Sequence, residues 1–536
     1  METDRANATP ESSPTAPARV PTTKSLPTTE KVKVRWPTVR AVLVCCAAIF
    51  ACSPVVAPAS PSPSIGAVRP TLAPAGSPLP SPTPPALLPF ALARSFPGVD
   101  ELNGSPPDPS LSVGPDRILV TTNSEIALLA KDGRFIARTP LKSFFSGLTR
   151  TPRLTDPRSL FDRVSRRFFL IASESDEVKE CAAGSCINQV FIAVSASESP
   201  LGFGADQWRR YAFDGTLEHG HPTASWGDFN MLATTDSMLL ITERMDRVTT
   251  EPQNLYAKVT VFDKAALLRG DPLKVIADYE DLHDPASHRV VLDIVPAVAL
   301  SPLDMFFLVG SGPGSGVAGC GVSIWAIDPR RGEPVSHQVA GSFGACGAQV
   351  PAAAPQPDGP FLDAASGRVG SPAVYRDGFI WLAQATVPTS RPSGTMGARI
   401  LKIDVRAWPA APLVVGSWEL TERGATQFYP AIAVDSLGNA AIVIGRSGPE
   451  EFPSIRVTGH LASEGGSQLH AASIAHTSTG PLQTNREHLP AARFGDYFGA
   501  ASDPADETLW FIGEYAKGSD QWGTWIASLD LIHPDR

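Results

Sequence analysis

Asp108, Asp156, Asp228 and Asp496 each stand at the head of a short run of similar texture. The runs are DPSLSVGPDRILVTT, DPRSLFDRVSRRFFLIA, DFNMLATTDSMLLIT and DYFGAASDPADETLWFIG. Asp293 lies close to the head of a further one, VPAVALSPLDMFFLVG. Carboxylates gathered by a repeat can do two kinds of work. They can hold Ca²⁺, a hard cation that takes oxygen ligands. Equally, each can accept backbone N–H bonds within its own turn, with no ion needed. The sequence leaves both readings open, with calcium the cofactor these carboxylates would suit. His219-Gly220-His221, seven residues ahead of Asp228, has the H-x-H spacing of a transition-metal pair beside a carboxylate. It also reads as a solvated Gly-containing loop.

Other chemistries lack their signatures. No G-x-S-x-G, H-E-x-x-H or Walker loop occurs. Gly314 to Gly319 fits G-x-G-x-x-G, but a strand-like run follows it, so no helix N-terminus would cradle a phosphate. No residue earns a catalytic role at this level. The net charge of −9 argues against a nucleic-acid partner, which requires a basic face.

The elements that must position these residues are strands. From about residue 93, short β-rich runs alternate with Gly, Pro, Asp and Ser turns. One unit recurs seven times: a small/apolar strand, a tight turn, then a strongly apolar strand. Besides the runs above, copies start at Gly370 (GSPAVYRDGFIWLAQ) and Phe428 (FYPAIAVDSLGNAAIVIG), and the starts lie 48 to 75 residues apart. A third strand follows, as in VSIWAID, and often a fourth, as in LVVGSWEL. The expectation is an all-β chain, a seven-bladed β-propeller of four-stranded antiparallel blades. Radial packing would bury sheet faces against neighbours and leave only short edges. The last unit lacks a fourth strand, and the segment around Leu88 to Val99 is expected to supply it. DKAALLRG, from Asp263 to Gly270, predicts one helix with an Asp N-cap and a Gly stop.

Residues 1–52 read as an export signal with a long polar n-region. Lys31, Lys33, Arg35 and Arg40 precede the uncharged run Ala41 to Cys52. Ile49-Phe50-Ala51-Cys52 resembles a bacterial lipobox, with Cys52 the lipidation site; an uncleaved anchor is the alternative. Residues 53–90 hold twelve Pro and one charge, Arg69, and read as an extended Pro/Ser/Ala-rich tether. The propeller would then occupy 91–536. Of seven cysteines, Cys181, Cys186, Cys320 and Cys346 remain for an exported domain and are expected to pair 181–186 and 320–346. Zinc is the competing reading, though no C-x₂-C pair occurs.

Several segments resemble secreted bacterial propeller proteins described as sialidase-like or BNR-like, most without assigned activity. They include PPDPSLSVGPDRILVTTNSEIALLAKDG, TDPRSLFDRVSRRFFLIAS, VTVFDKAALLRG and RFGDYFGAASDPADETLWFIGEY. The likeness spans roughly Asp108 to Leu529. It implies fold and export and carries no functional residues. Sialidase chemistry would need three arginines, a Tyr–Glu nucleophile pair and an acid. Arg153, Arg158, Arg446 and Arg493 lie near unit starts, and Tyr497 and Glu514 could supply other parts. The Asp-box motif is absent, and Arg–Asp pairs tying blades together explain these residues equally.

Two functions are carried forward. The first is a membrane-anchored, extracytoplasmic module that binds an envelope protein or glycan. Its alternative is an envelope glycoside hydrolase, sialidase-like, acting at the channel mouth. A binder should expose aromatics on a broad face; Trp208, Trp226, Trp381 and Trp522 are its candidates. An enzyme should gather titratable groups with displaced pKa values.

Overall fold

The computed structural model describes residues 90–533 except 101–105, 152, 176–185, 248–252, 312–320, 341–352, 365–368, 387–395, 421–423, 484–490 and 519–520. These residues belong to one compact unit, Thr83–Arg536. The expected signal, lipobox, tether, Cys181, Cys320 and Cys346 all lie outside the described residues. Cys186 is disulfide-bonded. No described helix is long and apolar enough to cross a membrane.

The chain folds into seven four-stranded antiparallel sheets, two of which join edge to edge. Blade 1 is Ser110–Val113, Ile118–Thr121, Glu125–Leu129 and Phe135–Pro140. Blade 2 is Leu154–Asp162, Arg167–Ser175, Asn188–Ser195 and Trp208–Asp214. Blade 3 is Ser225–Thr234, Met238–Arg247, Gln253–Asp263 and Val275–Tyr279. Blade 4 is Val295–Ala299, Phe306–Ser311, Val322–Ile327 and Val335–Gln338. Blade 5 is Ala373–Arg376, Phe379–Thr386, Gly397–Asp404 and Leu413–Leu420. Blade 6 is Thr426–Val434, Ala440–Gly448, Glu451–His460 and Ser473–Thr477. Blade 7 is Gly499–Ser502, Leu509–Gly518 and Gln521–Leu529, completed by Arg94–Asp100 from the start of the domain. The chain is the seven-bladed β-propeller its repeats predicted.

The inner strands touch in order around the ring, and that of blade 7 returns to that of blade 1. Those of blades 4 and 5 pair directly, in parallel, through Ala297 and Ala373. Burial follows the same logic. There is no single central core. Among the described residues seven apolar clusters form instead, and each is centred on one blade interface. Between blades 1 and 2, for example, Leu119, Ile126 and Leu128 meet Phe168, Leu170 and Phe191. Bulky second-strand residues fill these wide wedges. Ser110, Ser112, Ser159, Ala373, Ala431 and Gly499 line the narrow axis, where blades converge. The remaining axial cavity is only about 80 Å³.

The predicted helix forms at Lys264–Arg269. The Asp263 carboxylate accepts the Ala266 N–H at 3.0 Å, and Gly270 stops the helix at φ 83°. Trp208, Trp381 and Trp522 are buried, and Trp226 is partly covered. The three buried ones are therefore not available as a binding face.

Candidate functional site

All seven inner strands begin at one mouth of the axis, and there the backbone is unusual. Asp108 (φ 46°), Asp156 (φ 51°), Phe229 (φ 59°) and Tyr429 (φ 51°) adopt the left-handed conformation. That conformation costs a residue with a Cβ of order 1 kcal/mol or more. In blades 2, 3 and 6 it coincides with a β-bulge, between Thr155 and Arg158, Asp228 and Met231, and Phe428 and Ala431. The bulge corrects the reading of the repeat. Phe229 takes the place that Asp156 holds, and Asp228 sits one residue earlier. An inserted bulge residue turns successive side chains to new directions. Asp228 still reaches the cluster, by a different geometric route.

The strand starts of blades 1, 2, 3 and 7 bring the four aspartates together. Asn123, from the turn between strands of blade 1, ties two of them. Its amide donates to the Asp108 carboxylate at 2.7 Å, and its carbonyl accepts the Asp156 N–H at 2.9 Å. The Asp496 N–H donates to Asp108 at 2.7 Å. Asp228 lies near enough to Asp156 for its charge to raise the proton affinity of the buried carboxyl. Asp108 and Asp156 are 2% and 5% exposed, while the Asp228 and Asp496 side chains keep 26% and 22% exposure. Two carboxyls therefore lie beneath and two reach water.

Three arginines answer this charge. Arg244 pairs with Asp228, with Asp246 at 3.3 Å and with Asp293 at 3.6 Å. Arg493 pairs with both oxygens of Asp496, one at 3.0 Å, and with Asp363 at 3.5 Å. Arg158 is buried across the axis. It donates to the Gly370 carbonyl at 3.1 Å and stacks 3.4 Å from the Tyr497 ring centroid and 5.2 Å from that of Phe229. It also lines the axial cavity. Tyr429 donates to the carbonyls of Asp363, at 2.6 Å, and Gly495.

Carboxyls outnumber arginines here, and proton affinities follow. Burial, then Asp496, pushes Asp108 up to about 7 against the pull of Arg493 and its two donors. Burial, then Asp228, Asp108 and Asp496, raises Asp156 well above the carboxylate range. Burial lifts Asp246 to about 6 although Arg244 opposes it. Burial works against the Arg244 and Arg493 charges, but their aspartates outweigh it and raise both. Burial lowers Arg158, and raises the Tyr497 and Tyr429 hydroxyls well above the phenol range. The mouth thus sets carboxyls of raised proton affinity beside ion-paired carboxylates, the separation that acid–base chemistry uses.

The remaining sequence candidates lie apart or serve other ends. Glu514 is buried beneath Gly495. Arg446 pairs with Glu451 within blade 6, and Arg153 is exposed. The arginines therefore do not converge as a triad. His219 pairs with Glu280 at 2.9 Å on a small hairpin, and His221 is exposed. Among the described residues, no group of three or more His, Cys, Asp or Glu is arranged to hold a metal ion. Sequence reasoning missed Asn123, Arg244, Asp246 and Asp363. The alternation Arg244, Met245, Asp246 at the end of an apolar strand was the available signal.

No protein-family profile matches the chain, and no curated protein does. Solved structures align weakly. A Trypanosoma rangeli sialidase bound to sialic acid is 9% identical, with a TM-score of 0.39 over 79% of this chain. The chain spans 60% of that sialidase. A Penicillium chrysogenum alpha-L-arabinanase with arabinobiose is 12% identical, TM-score 0.30, covering 56% of this chain and 92% of its own. Drosophila Semaphorin 1a, extracellular domains 1–2, is 8% identical, TM-score 0.39, covering 81% and 88%. Likenesses at this level carry no argument about chemistry, which rests on the residues above.

Proposed function

We propose that the protein is a glycoside hydrolase that cleaves an uncharged glycan at the aspartate-lined mouth. The observation that carries this is the neighbouring pair Asp156 and Asp228: burial raises the proton affinity of Asp156 well above that of an ordinary carboxyl, while Asp228 reaches solvent. Such a pair can hand a proton outward through Asp228 to a glycosidic oxygen as the C–O bond breaks. Positive charge then develops on the sugar ring beside the partly exposed Asp496 carboxylate, which Arg493 holds in place. Water adds to the anomeric carbon, and its proton returns to the pair. The excess of carboxyls disfavours an anionic sugar, because Arg244 and Arg493 are already engaged by aspartates. A sialoside is therefore a poorer fit than a neutral glycan. If the N-terminus is lipidated at Cys52, the Pro-rich tether would hold this mouth off the outer face of a membrane; mass spectrometry of the mature N-terminus tests that location.

The test is reducing-end release from neutral polysaccharides by the wild type and by Asp156→Asn. The expected result is a loss in kcat of about 100-fold or more, the range of a general acid, with KM little changed. Wild-type activity should also fall on the alkaline side as the pair loses its proton. Hydrolysis undiminished in Asp156→Asn, or no release from any neutral glycan, would overturn the proposal.

A further inference from the structure

Phe361 is the aromatic side chain among the strongly exposed large apolar residues of the described chain, at 57%. Its support is rigid. Its carbonyl accepts the Ala492 N–H at 2.7 Å, and the Asp363 N–H returns to the Ala492 carbonyl at 2.8 Å. Leu362 between them is fully buried and pairs with Ala354. The turn leading in is pinned by the Gln356 amide, which donates to the carbonyls of Pro360 and Leu482, each at 2.7 Å. An exposed aromatic ring on so fixed a segment gives up little conformational freedom when it binds.

Its position is set by alternation. Residues two apart on an extended strand face the same side, roughly 6.6 Å apart. Asp363 pairs with Arg493 at the carboxylate mouth, and continuing the alternation one residue before the strand Leu362–Asp363 puts Phe361 on that same side of the segment. That spacing is of the order of one sugar unit. The ring face of Phe carries partial negative charge and favours the C–H face of an uncharged sugar. We infer that Phe361 is a stacking platform for a second sugar ring of a neutral oligosaccharide whose neighbouring unit lies at Asp363 and Arg493. This rests on the neutral-glycan reading above and adds a chain-length requirement to it.

Calorimetric titration of cellohexaose and arabinohexaose into the wild type, Phe361→Ala, Phe361→Trp and Asp156→Asn tests it. At least one hexaose should bind the wild type. Phe361→Ala should weaken that binding about tenfold, equivalent to roughly 1.4 kcal/mol, with the thermal midpoint unchanged. Phe361→Trp should retain affinity, and so should Asp156→Asn. Equal affinity in Phe361→Ala, or no binding of either hexaose, would overturn the platform. Phe361-dependent binding without any hydrolysis would support the platform and remove the hydrolase reading.

Discussion

Glu243 shows what a single buried carboxyl does beside this mouth. It alternates with Arg244 along one strand, so Arg244 faces the aspartates while Glu243 turns between blades 2 and 3. There its oxygen occupies the space a side chain at Gly227 would need, and the strand pairs it with Lys258. Burial pushes its pKa up to about 7, although Lys258 and Asn188 pull the other way. In the unfolded chain the carboxyl ionises near 4.5. Stability from this group is therefore complete below about pH 4.5 and is lost as pH rises towards 7. Glu243→Gln removes that loss. Relative to the wild type, its unfolding free energy should rise by up to about 3 kcal/mol between pH 4.5 and 8. Denaturant midpoints across that range measure it, and a difference that stays flat with pH would contradict the assignment. Asp108 and Asp156 act with the same sign, so the wild type itself should weaken over this window.

The start of the inner strand, bulged in blades 2, 3 and 6, is the element that makes the site. It shows why sequence reading reached part of the way. Apolar alternation is local, so the hairpins, the helix capped by Asp263 and the missing fourth strand of the last blade were all legible. The four aspartates were visible because each heads a unit. The αL residue and its bulge were not, since Asp228-Phe229 and Asp156-Pro157 look alike in a linear alignment of unit starts. Arg244, Asp246 and Asp363 meet the aspartates only through strand ends that no periodicity marks. Gly495 tests the element directly. Its φ is 141°, and a Cβ there would lie 2.9 Å from Glu514 Oε2 and 3.2 Å from Asp108 Oδ1. Gly495→Ala should cost roughly 1–3 kcal/mol and disturb Asp108 and Asp496 together. Chemical denaturation should show the loss, and activity should fall further than the unfolded fraction explains. An unchanged midpoint would mean that the blade 7 start yields without strain.

At the scale of the whole molecule, the site exists only while the ring is closed, because Asp108 and Asp496 belong to its two ends and meet across the closure. Closure is held in two places. At the opposite mouth, Glu507 of blade 7 bridges Arg163 of blade 2 at 3.1 Å and Arg376 of blade 5 at 2.7 Å. At the seam, Arg94–Asp100 pairs with Gln521–Leu529, and Val99 is fully buried among Leu111, Ile118, Trp510 and Ile526. Phe90 extends the hold by packing into the cluster of blades 6 and 7. In an open array each repeat answers only to its neighbours; closing the ring makes one seam matter to both ends. Val99→Asp puts an unpaired charge into that seam and should cost roughly 3 kcal/mol or more. Val415→Asp, on the exposed outer strand of blade 5, should stay within about 0.5 kcal/mol. Native-state amide exchange distinguishes the cause. Under Val99→Asp, protection should fall together in Leu509–Gly518 of blade 7 and Ile118–Thr121 of blade 1, strands from opposite ends of the sequence. Faster exchange confined to Arg94–Asp100 would show that the ring keeps its shape without its closing strand, and that the contact between Asp108 and Asp496 does not depend on the seam.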